Sequence, residues 1–515
     1  MPLATTPPVH ASRGSGEVHL PFQNISAIRG FGAWLFFATR AWYYIMTMNF
    51  TITTLGCKVN QYESAALSAA LRRAGLAPSE NDTADLVVIN TCCITTTAMR
   101  KSRQAIRKAI RTAGGDPVVL VAGCYSDYSG QKITELLSDE GIIESRAVIV
   151  GHHGDIAEAV SQAAEAVTRS RGTTYREQSE FSAETLKSRR KIAENRKNAS
   201  HLPKIDRFDG HQRAFVKVQG GCDAFCTYCV VPFTRPNLTS RPIAEIRAEC
   251  ADLVAAGHKE IVLTGVFIGA FGRASARRKT WAPVPHAPLA ELVKEISSLP
   301  GLWKVRLSSI EPADVTDDLI SAGQACDTFA PHFHLPLQSG SAAVLKRMNR
   351  QYTPEEFRAT VDRLRDSFKT PALTADIIVG FAGETDEDFA DTLAMARYAG
   401  FSKIHAFPFS AIEGTAAWQW RKDIPADAVV KARLAELAKL EAELANDYYQ
   451  QFVGQELEGL VEAERAGSAG KFQAMTDRYM TIHFTPAGSD VAPGQVRRFA
   501  ITGITPEGLT GTLAD

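Results

Sequence analysis

Ala214-Phe215-Val216-Lys217-Val218-Gln219-Gly220-Gly221-Cys222-Asp223-Ala224-Phe225-Cys226-Thr227-Tyr228-Cys229 reads as an apolar strand that ends in paired glycines and runs at once into three thiols at CxxxCxxC spacing. Five further apolar strands of the same kind follow, at 260–264, 304–309, 332–337, 373–379 and 403–409. Most of the spacers are long enough for a helix, and 289–298, 354–368 and 387–399 carry helical periodicity. Strands alternating with helices build a parallel sheet. Six such units fall two short of a full eightfold barrel, so an open, partial (β/α)6 barrel is expected, with its site at the carboxyl ends of the strands.

Outward from this barrel, assigned to 211–450 and closed by a long helix at 426–450, the chain divides further. Residues 48–154 alternate strands (50–55, 86–90, 118–122, 147–150) with helices (63–74 and a basic amphipathic one at 97–112), which predicts an α/β domain with a flavodoxin-like parallel sheet. Residues 155–210 are charge-rich and aromatic-poor, a linker with helical pieces such as 186–197 whose basic residues read as a solvated face. Residues 451–515 hold short strands at 457–462, 480–484, 495–503 and 509–513, the pattern of a small β-barrel, a shape that often binds oligonucleotides. The apolar stretch 30–48 is interrupted by Arg40 and falls short of a membrane span; with Met46 and Met48 just before the first strand, 1–47 reads as a non-native or disordered extension, and no membrane association is expected.

Size and composition bound the function only loosely. A chain of 515 residues holds several domains. Its 57 basic and 57 acidic residues cancel, so a nucleic-acid site has to be a local patch. Nine cysteines placed mainly in two groups are not a disulfide framework; they read as metal ligands in a reducing compartment, the cytoplasm.

Structural zinc takes four protein ligands and closes its shell. Three thiolates on a 4Fe-4S cube leave one iron without a protein ligand. An open iron of that kind can chelate the amino and carboxylate groups of S-adenosylmethionine, and an electron from the reduced cluster then cleaves the sulfonium to a 5'-deoxyadenosyl radical. With its spacing and with Tyr228 before the last thiol, the segment resembles the radical S-adenosylmethionine superfamily. The resemblance makes Cys222, Cys226 and Cys229 the catalytic cluster ligands and places Tyr228 among the cofactor-binding residues. It matches Gly265, in Leu263-Thr264-Gly265, to the contact with the methionine moiety, and Gly380-Phe381-Ala382-Gly383-Glu384-Thr385, through Gly380 and Glu384, to the support of the adenosyl group. An ordinary βα turn and a plain glycine-rich loop are the alternatives at these two places.

Cys57, Cys92 and Cys124 each stand just past a strand of the first domain, 35 and 32 residues apart. Carboxyl ends of parallel strands share one edge, where ligands bind, so the three converge as ligands of a second open 4Fe-4S cluster; small buried core thiols are the alternative. Alternation points Cys92 and Cys93 in opposite directions, and Cys92 is the expected ligand. Cys250 and Cys326 read as inert thiols.

Two clusters ahead of a terminal β-barrel resemble the methylthiotransferase family, in which a TRAM domain closes the chain. The resemblance spans about 51–513. Its carriers are Thr54-Leu55-Gly56-Cys57-Lys58-Val59-Asn60-Gln61-Tyr62-Glu63-Ser64, Asn90-Thr91-Cys92, Arg306-Leu307-Ser308-Ser309-Ile310-Glu311-Pro312 and His334-Leu335-Pro336-Leu337-Gln338-Ser339-Gly340-Ser341. Cys57-Lys58-Val59-Asn60-Gln61 resembles the branch that acts on N6-threonylcarbamoyladenosine beside the anticodon of tRNA, at position 37. The branches acting on isopentenyladenosine or on a ribosomal protein are the alternatives, and a noncatalytic iron-sulfur protein that binds RNA or senses redox state is the rival from another class. The resemblance implies S-adenosylmethionine as both methyl donor and oxidant, tRNA as partner, and a reductant such as flavodoxin or ferredoxin. Arg235, Arg241, Lys346, Arg347 and Arg350 are candidates for phosphate or threonylcarbamoyl carboxylate, against solvated salt bridging. Pro236, Ala411-Ile412 and the basic stretch 269–287, with Arg277, Arg278 and Lys279, depart from the family pattern.

Overall fold

The computed structural model describes residues 48–79, 81, 83–152, 154–171, 204–278, 287–462, 472–486 and 491–514. The readings made for 1–47, 186–197 and Lys279 lie outside them. Among the described residues no helix is long and apolar enough to cross a membrane.

The first layer runs β1 (Asn49–Thr54), α1 (Lys58–Arg73), β2 (Ala77–Pro78), β3 (Leu86–Thr91), α2 (Thr96–Ala113), β4 (Val118–Gly123), α3 (Cys124–Asp139), β5 (Ala147–Val150) and α4 (Ile156–Ser170). Its sheet is parallel in the order β2-β1-β3-β4-β5, the flavodoxin-like order. Every residue of β3 and β4 is buried, and alternation sorts them onto two faces. Val87, Ile89, Val119 and Val121 pack with α2 and α3, whereas Leu86, Val88, Val118 and Leu120 pack with α1 and α4. Helix α4 lies at the start of the stretch expected from the sequence to be a linker with helical pieces. Asp155 caps it by accepting from the Ala157 and Glu158 amides, and its buried face is mostly alanine, too faint an apolar stripe to stand out among charges.

The central part holds β6 (Arg213–Gly220), α5 (Val231–Thr234), β7 (Thr239–Ser240), α6 (Ile243–Ala255), β8 (Glu260–Gly265), α7 (Pro288–Ser297), β9 (Lys304–Leu307), α8 (Asp317–Gln324), β10 (His332–His334), α9 (Ala342–Arg347), α10 (Pro354–Ser367), β11 (Ala372–Val379), α11 (Asp386–Ala399), β12 (Lys403–Pro408) and α12 (Asp427–Gln450). The strands form two runs, β7-β6-β8-β9 and β10-β11-β12, parallel except for β7. Backbone bonds from Ala330 to Val305 (2.9 Å) and from Ile310 to His334 (3.0 Å) join the runs into the partial barrel. Strand β10 stops three residues before the expected 337, because Pro336 lacks an amide proton and Gln338 turns to φ 58°. Tyr62, Ala66 and Ala69 of α1 belong to the barrel's own core, so the first layer docks there through α1.

The carboxyl-terminal part is a closed barrel of β13 (Glu456–Val461), β14 (Phe472–Thr476), β15 (Thr481–Phe484), β16 (Val496–Thr505) and β17 (Gly508–Leu513) in the order β13-β14-β15-β17-β16, around Phe484, Phe499, Ile482 and Leu509. Strand β14 has no counterpart in the sequence reading. The β14–β15 turn reaches into the partial barrel, where fully buried Arg306 binds Glu260 at 2.7 Å and the carbonyls of Asp477 and Thr476 at 2.8 and 3.2 Å.

Closure of the small barrel leaves no room at Gly508. Its φ is 148°, and a Cβ there would stand 2.4 Å from the Thr481 carbonyl oxygen. Gly508→Ala is therefore expected to cost about 1–3 kcal/mol. Denaturant unfolding measures the loss, and hydrogen exchange should place it in β15 and β17.

Candidate functional site

The three thiols of the first layer follow the neighbouring strands β1, β3 and β4, and two glycines let their turns pack closely. At Gly56, φ 101°, a Cβ would lie 2.9 Å from Cys92 Cβ and 3.0 Å from Cys92 Sγ. At Gly123, φ 98°, it would lie 2.4 Å from Asn90 Oδ1. Asn60 Nδ2 donates to the carbonyls of Leu55 and Thr91 (2.8 and 2.9 Å) and Asn90 Nδ2 donates to the Asn60 carbonyl (2.9 Å), stapling the Cys57 and Cys92 turns together. Cys93 turns into the apolar face with Met99, Ile106 and Val121, near enough to Cys124 for the two thiols to influence each other's ionisation.

In the barrel, Gly221 (φ 77°) passes so close to Asn237 that a Cβ would sit 2.0 Å from its carbonyl oxygen. The Cys222 amide donates to the Arg235 carbonyl at 3.0 Å. The loop that follows is clamped by the segment after α9. Thr227 N donates to the Met348 carbonyl (3.0 Å), Thr227 Oγ1 to that of Arg347 (2.8 Å), and Asn349 Nδ2 to that of Phe225 (2.9 Å). Arg350 donates from Nη1 to Cys226 Sγ at 3.3 Å and holds Glu311 through Nη2 at 2.5 and 2.6 Å.

Burial pushes the Cys222 thiol up to about 12 and the Cys229 thiol upward as well, each aggravated by its neighbouring thiols. Such thiols stay neutral unless a cation takes them as thiolates. Among the described residues no three His, Cys, Asp or Glu groups close on a single ion. Three thiolates are the donor set that a 4Fe-4S cube with one open iron takes, and the Cys222, Cys226 and Cys229 loop offers that set.

A cavity of about 180 Å³ opens at the carboxyl ends of β8, β9 and β10, lined by Val266, Phe267, Gly269, Ser309, Glu311 and Pro336. Gly265 stands at its edge and leaves room for Gln219, whose side chain accepts from the Phe267 amide (2.8 Å) and donates to the carbonyls of Gly220 and Gly221 (2.9 and 2.8 Å). Tyr228 is half-buried, 6.4 Å from Phe381, ring centre to ring centre. Gly380 (φ 76°) abuts Val430, and the Glu384 carboxylate accepts from the Gly380 amide (2.7 Å) and from Arg433 (2.6 Å), so in this structure Glu384 braces the loop after β11.

Comparison with known proteins agrees with this layout. A profile of the Radical SAM superfamily matches residues 216–396, and one of the uncharacterized protein family UPF0004 matches 49–143. The chain is 34% identical over 441 residues to the threonylcarbamoyladenosine tRNA methylthiotransferase MtaB of Bacillus subtilis, covering 84% of this chain and 89% of that one. The chain belongs to the radical S-adenosylmethionine methylthiotransferase family. It is also 30% identical over 447 residues to the tRNA-2-methylthio-N(6)-dimethylallyladenosine synthase of Clostridium tetani, covering 84% and 90% of the two chains. Among solved structures, the radical S-adenosylmethionine methyltransferase TsrM of Kitasatospora setae is similar at TM-score 0.47 and 14% identity, over 82% of each chain. Membership implies a 4Fe-4S cluster and S-adenosylmethionine in this methylthiotransferase, and makes it an enzyme.

The structure sorts the five basic candidates of this methylthiotransferase. Lys346 and Arg347 are exposed. Arg241, Arg350 and Arg235 are instead built into the framework. Arg241 is held by Glu249, Tyr62 and the Lys217 carbonyl, and Arg350 by Glu311. Arg235, 6% exposed, donates from Nη1 and Nη2 to Glu63 (2.7 and 2.8 Å), from Nη2 to Asn60 (3.2 Å) and from Nε to Cys124 Sγ (3.4 Å), so it is not a surface contact for phosphate. Glu63 and His152 are functional neighbours that the sequence reading missed. Glu63 lay inside a quoted motif, but nothing in the sequence marked His152, whose Nε2 comes within 3.3 Å of Cys124 Sγ. The Cys93 thiol, with Arg235 and His152, holds Cys124 well below the usual thiol range against the opposing effect of burial.

Burial works against ionised Glu63, yet Arg235, Lys217 and His152 hold its carboxyl well below the usual range. The pair's contribution is thus present at neutral pH and is lost as pH falls through the acid range. Arg235→Gln leaves that carboxylate short of its main partner and is expected to destabilise the protein by about 3–5 kcal/mol. Adding Glu63→Gln should recover part of the loss; chemical denaturation of the single and double variants checks both.

Proposed function

We propose that the chain is a tRNA methylthiotransferase that converts N6-threonylcarbamoyladenosine at position 37, next to the anticodon, to its 2-methylthio derivative. The observation that carries this reading is the pair of three-thiol sets joined through Arg235, one at each strand edge, in a chain 34% identical to a relative named for that activity. The dimethylallyladenosine synthase at 30% identity supports the second reading, in which the same chemistry meets an uncharged N6 group.

Cys222, Cys226 and Cys229 would hold the 4Fe-4S cluster that binds S-adenosylmethionine, and Cys57, Cys92 and Cys124 a second 4Fe-4S cluster. When bound, the first would supply one-electron cleavage of the sulfonium, needed because carbon 2 of adenine is an unactivated C–H position, and the second would supply the sulfur. The protein's own part is placement. Gln219 and the Arg235 carbonyl fix where Cys222 stands, and the Arg350–Glu311 pair fixes Cys226. Gly265 and the cavity beside it leave space for the methionine moiety, while Tyr228, Gly380 and Glu384 shape the wall on the adenosyl side. The target base has to leave its stack to reach this mouth. Exposed Lys346 and Arg347 lie on the barrel where they can meet phosphate, and the terminal β-barrel, read as a TRAM domain, can hold the RNA. A cytoplasmic location and a flavodoxin or ferredoxin reductant complete the reading.

Anaerobic reconstitution, iron and sulfide counting and nucleoside mass spectrometry test it. Cys222→Ala should abolish 5'-deoxyadenosine formation. Cys57→Ala should spare that cleavage and stop methylthiolation. Full methylthiolation by both variants, or unchanged modification in tRNA from cells lacking the gene, would refute the assignment.

A further inference from the structure

Lys58, the residue directly after Cys57, is half-buried, and among the described residues its ammonium has no hydrogen-bond or ion-pair partner. Its surroundings make that costly. The ammonium lies 5.9 Å from the centre of the Tyr479 ring. The guanidinium carbons of Arg213 and Arg306 lie 5.0 and 5.1 Å from the same ring, and His332 stacks on it at 5.0 Å.

Charge accounting singles out Lys58. Arg306 is matched by Glu260 (2.7 Å) and Arg213 by Glu462 (3.1 Å). The carboxylate on the facing strand, Asp376, accepts a hydrogen bond from His334 Nε2 at 3.1 Å and acts on Lys58 only through space. Buried His332 keeps Nδ1 without a partner, and so does Arg213 at Nη1. A half-buried ammonium among cations, with the nearest carboxylates committed elsewhere, is a site for an anion that arrives with the substrate.

We propose that Lys58 binds the carboxylate of the N6-threonylcarbamoyl group and is a specificity-determining residue of this enzyme. The assignment rests on the acceptor proposed above. Lys58 directly follows Cys57, so a base brought up to that thiol presents its N6 substituent to the turn that carries Lys58. A dimethylallyl group carries no charge and would leave the ammonium unmatched, which favours the threonylcarbamoyl acceptor over the second reading.

The test is equilibrium binding of the reconstituted protein to three synthetic anticodon stem-loops, carrying at position 37 plain adenosine, N6-threonylcarbamoyladenosine, or its carboxylate methyl ester. Wild type should prefer the free acid to the ester by about tenfold to a hundredfold. Lys58→Met should bind acid and ester alike, and Lys58→Arg should restore the preference, with iron and sulfide content unchanged in both. A wild type that does not distinguish acid from ester, or a Lys58→Met variant that still does, overturns the assignment while leaving the acceptor standing. A wild type that prefers neither modified RNA to plain adenosine overturns the acceptor itself, and this inference with it.

Discussion

One buried guanidinium holds the two halves of the site in register. Arg235 offers its carbonyl to the Cys222 amide and its side chain to Glu63, Asn60 and Cys124, so a single residue touches both thiol sets. Interfaces between domains allow relative motion by default unless they are large and apolar. Here the apolar part is supplied by α1, whose Tyr62, Ala66 and Ala69 enter the barrel core. Apolar packing alone tolerates sliding, whereas a forked ion pair has one geometry, and leaving either partner unmatched is heavily penalised. The registry this imposes is what the proposed reaction, divided between two centres, requires.

The same logic explains which features could be read from sequence and which could not. Strands β3 and β4 are buried on both faces, so Leu86–Thr91 and Val118–Gly123 are nearly continuous apolar runs and their ends, with the cysteines, are plain. The six barrel strands were legible for similar reasons. Helix α4 was legible only as a helical piece of a linker and not as part of the layer's core, because an alanine face between charged residues resembles a solvated one. Strand β14 is only five residues long, Phe472–Thr476, too short a run to stand out by alternation. The role of Arg235 was the most misleading: an arginine after a cysteine motif suggests phosphate, and only the fold brings Glu63, 172 positions away in the chain, against it.

Glycines mark the second constraint. Gly56, Gly123 and Gly221 all carry positive φ and all stand immediately before a cysteine. Their close contacts with Cys92, Asn90 and Asn237 show that each thiol is delivered by a backbone pressed against another turn, leaving no room for a Cβ. Rigid delivery matters because burial keeps Cys222 and Cys229 neutral until a cation arrives. A flexible loop would also lose entropy on closing around that cation, a cost the preset turns have already met during folding.

A six-strand barrel is open along one side, and its lumen has to be filled. In this chain much of the filling is charged: the β14–β15 turn closes over Arg306 and Glu260, and Arg213, His332, His334 and Asp376 lie around it. Apolar side chains would make a more stable plug, since a buried ion pair is often no better than a well-packed apolar replacement. A lumen that keeps charges, most of them committed to one another, therefore fits a chamber shaped for a polar occupant better than one shaped for stability alone. Within it Lys58, the first residue of α1 and next to Cys57, is a cation that this internal pairing leaves over.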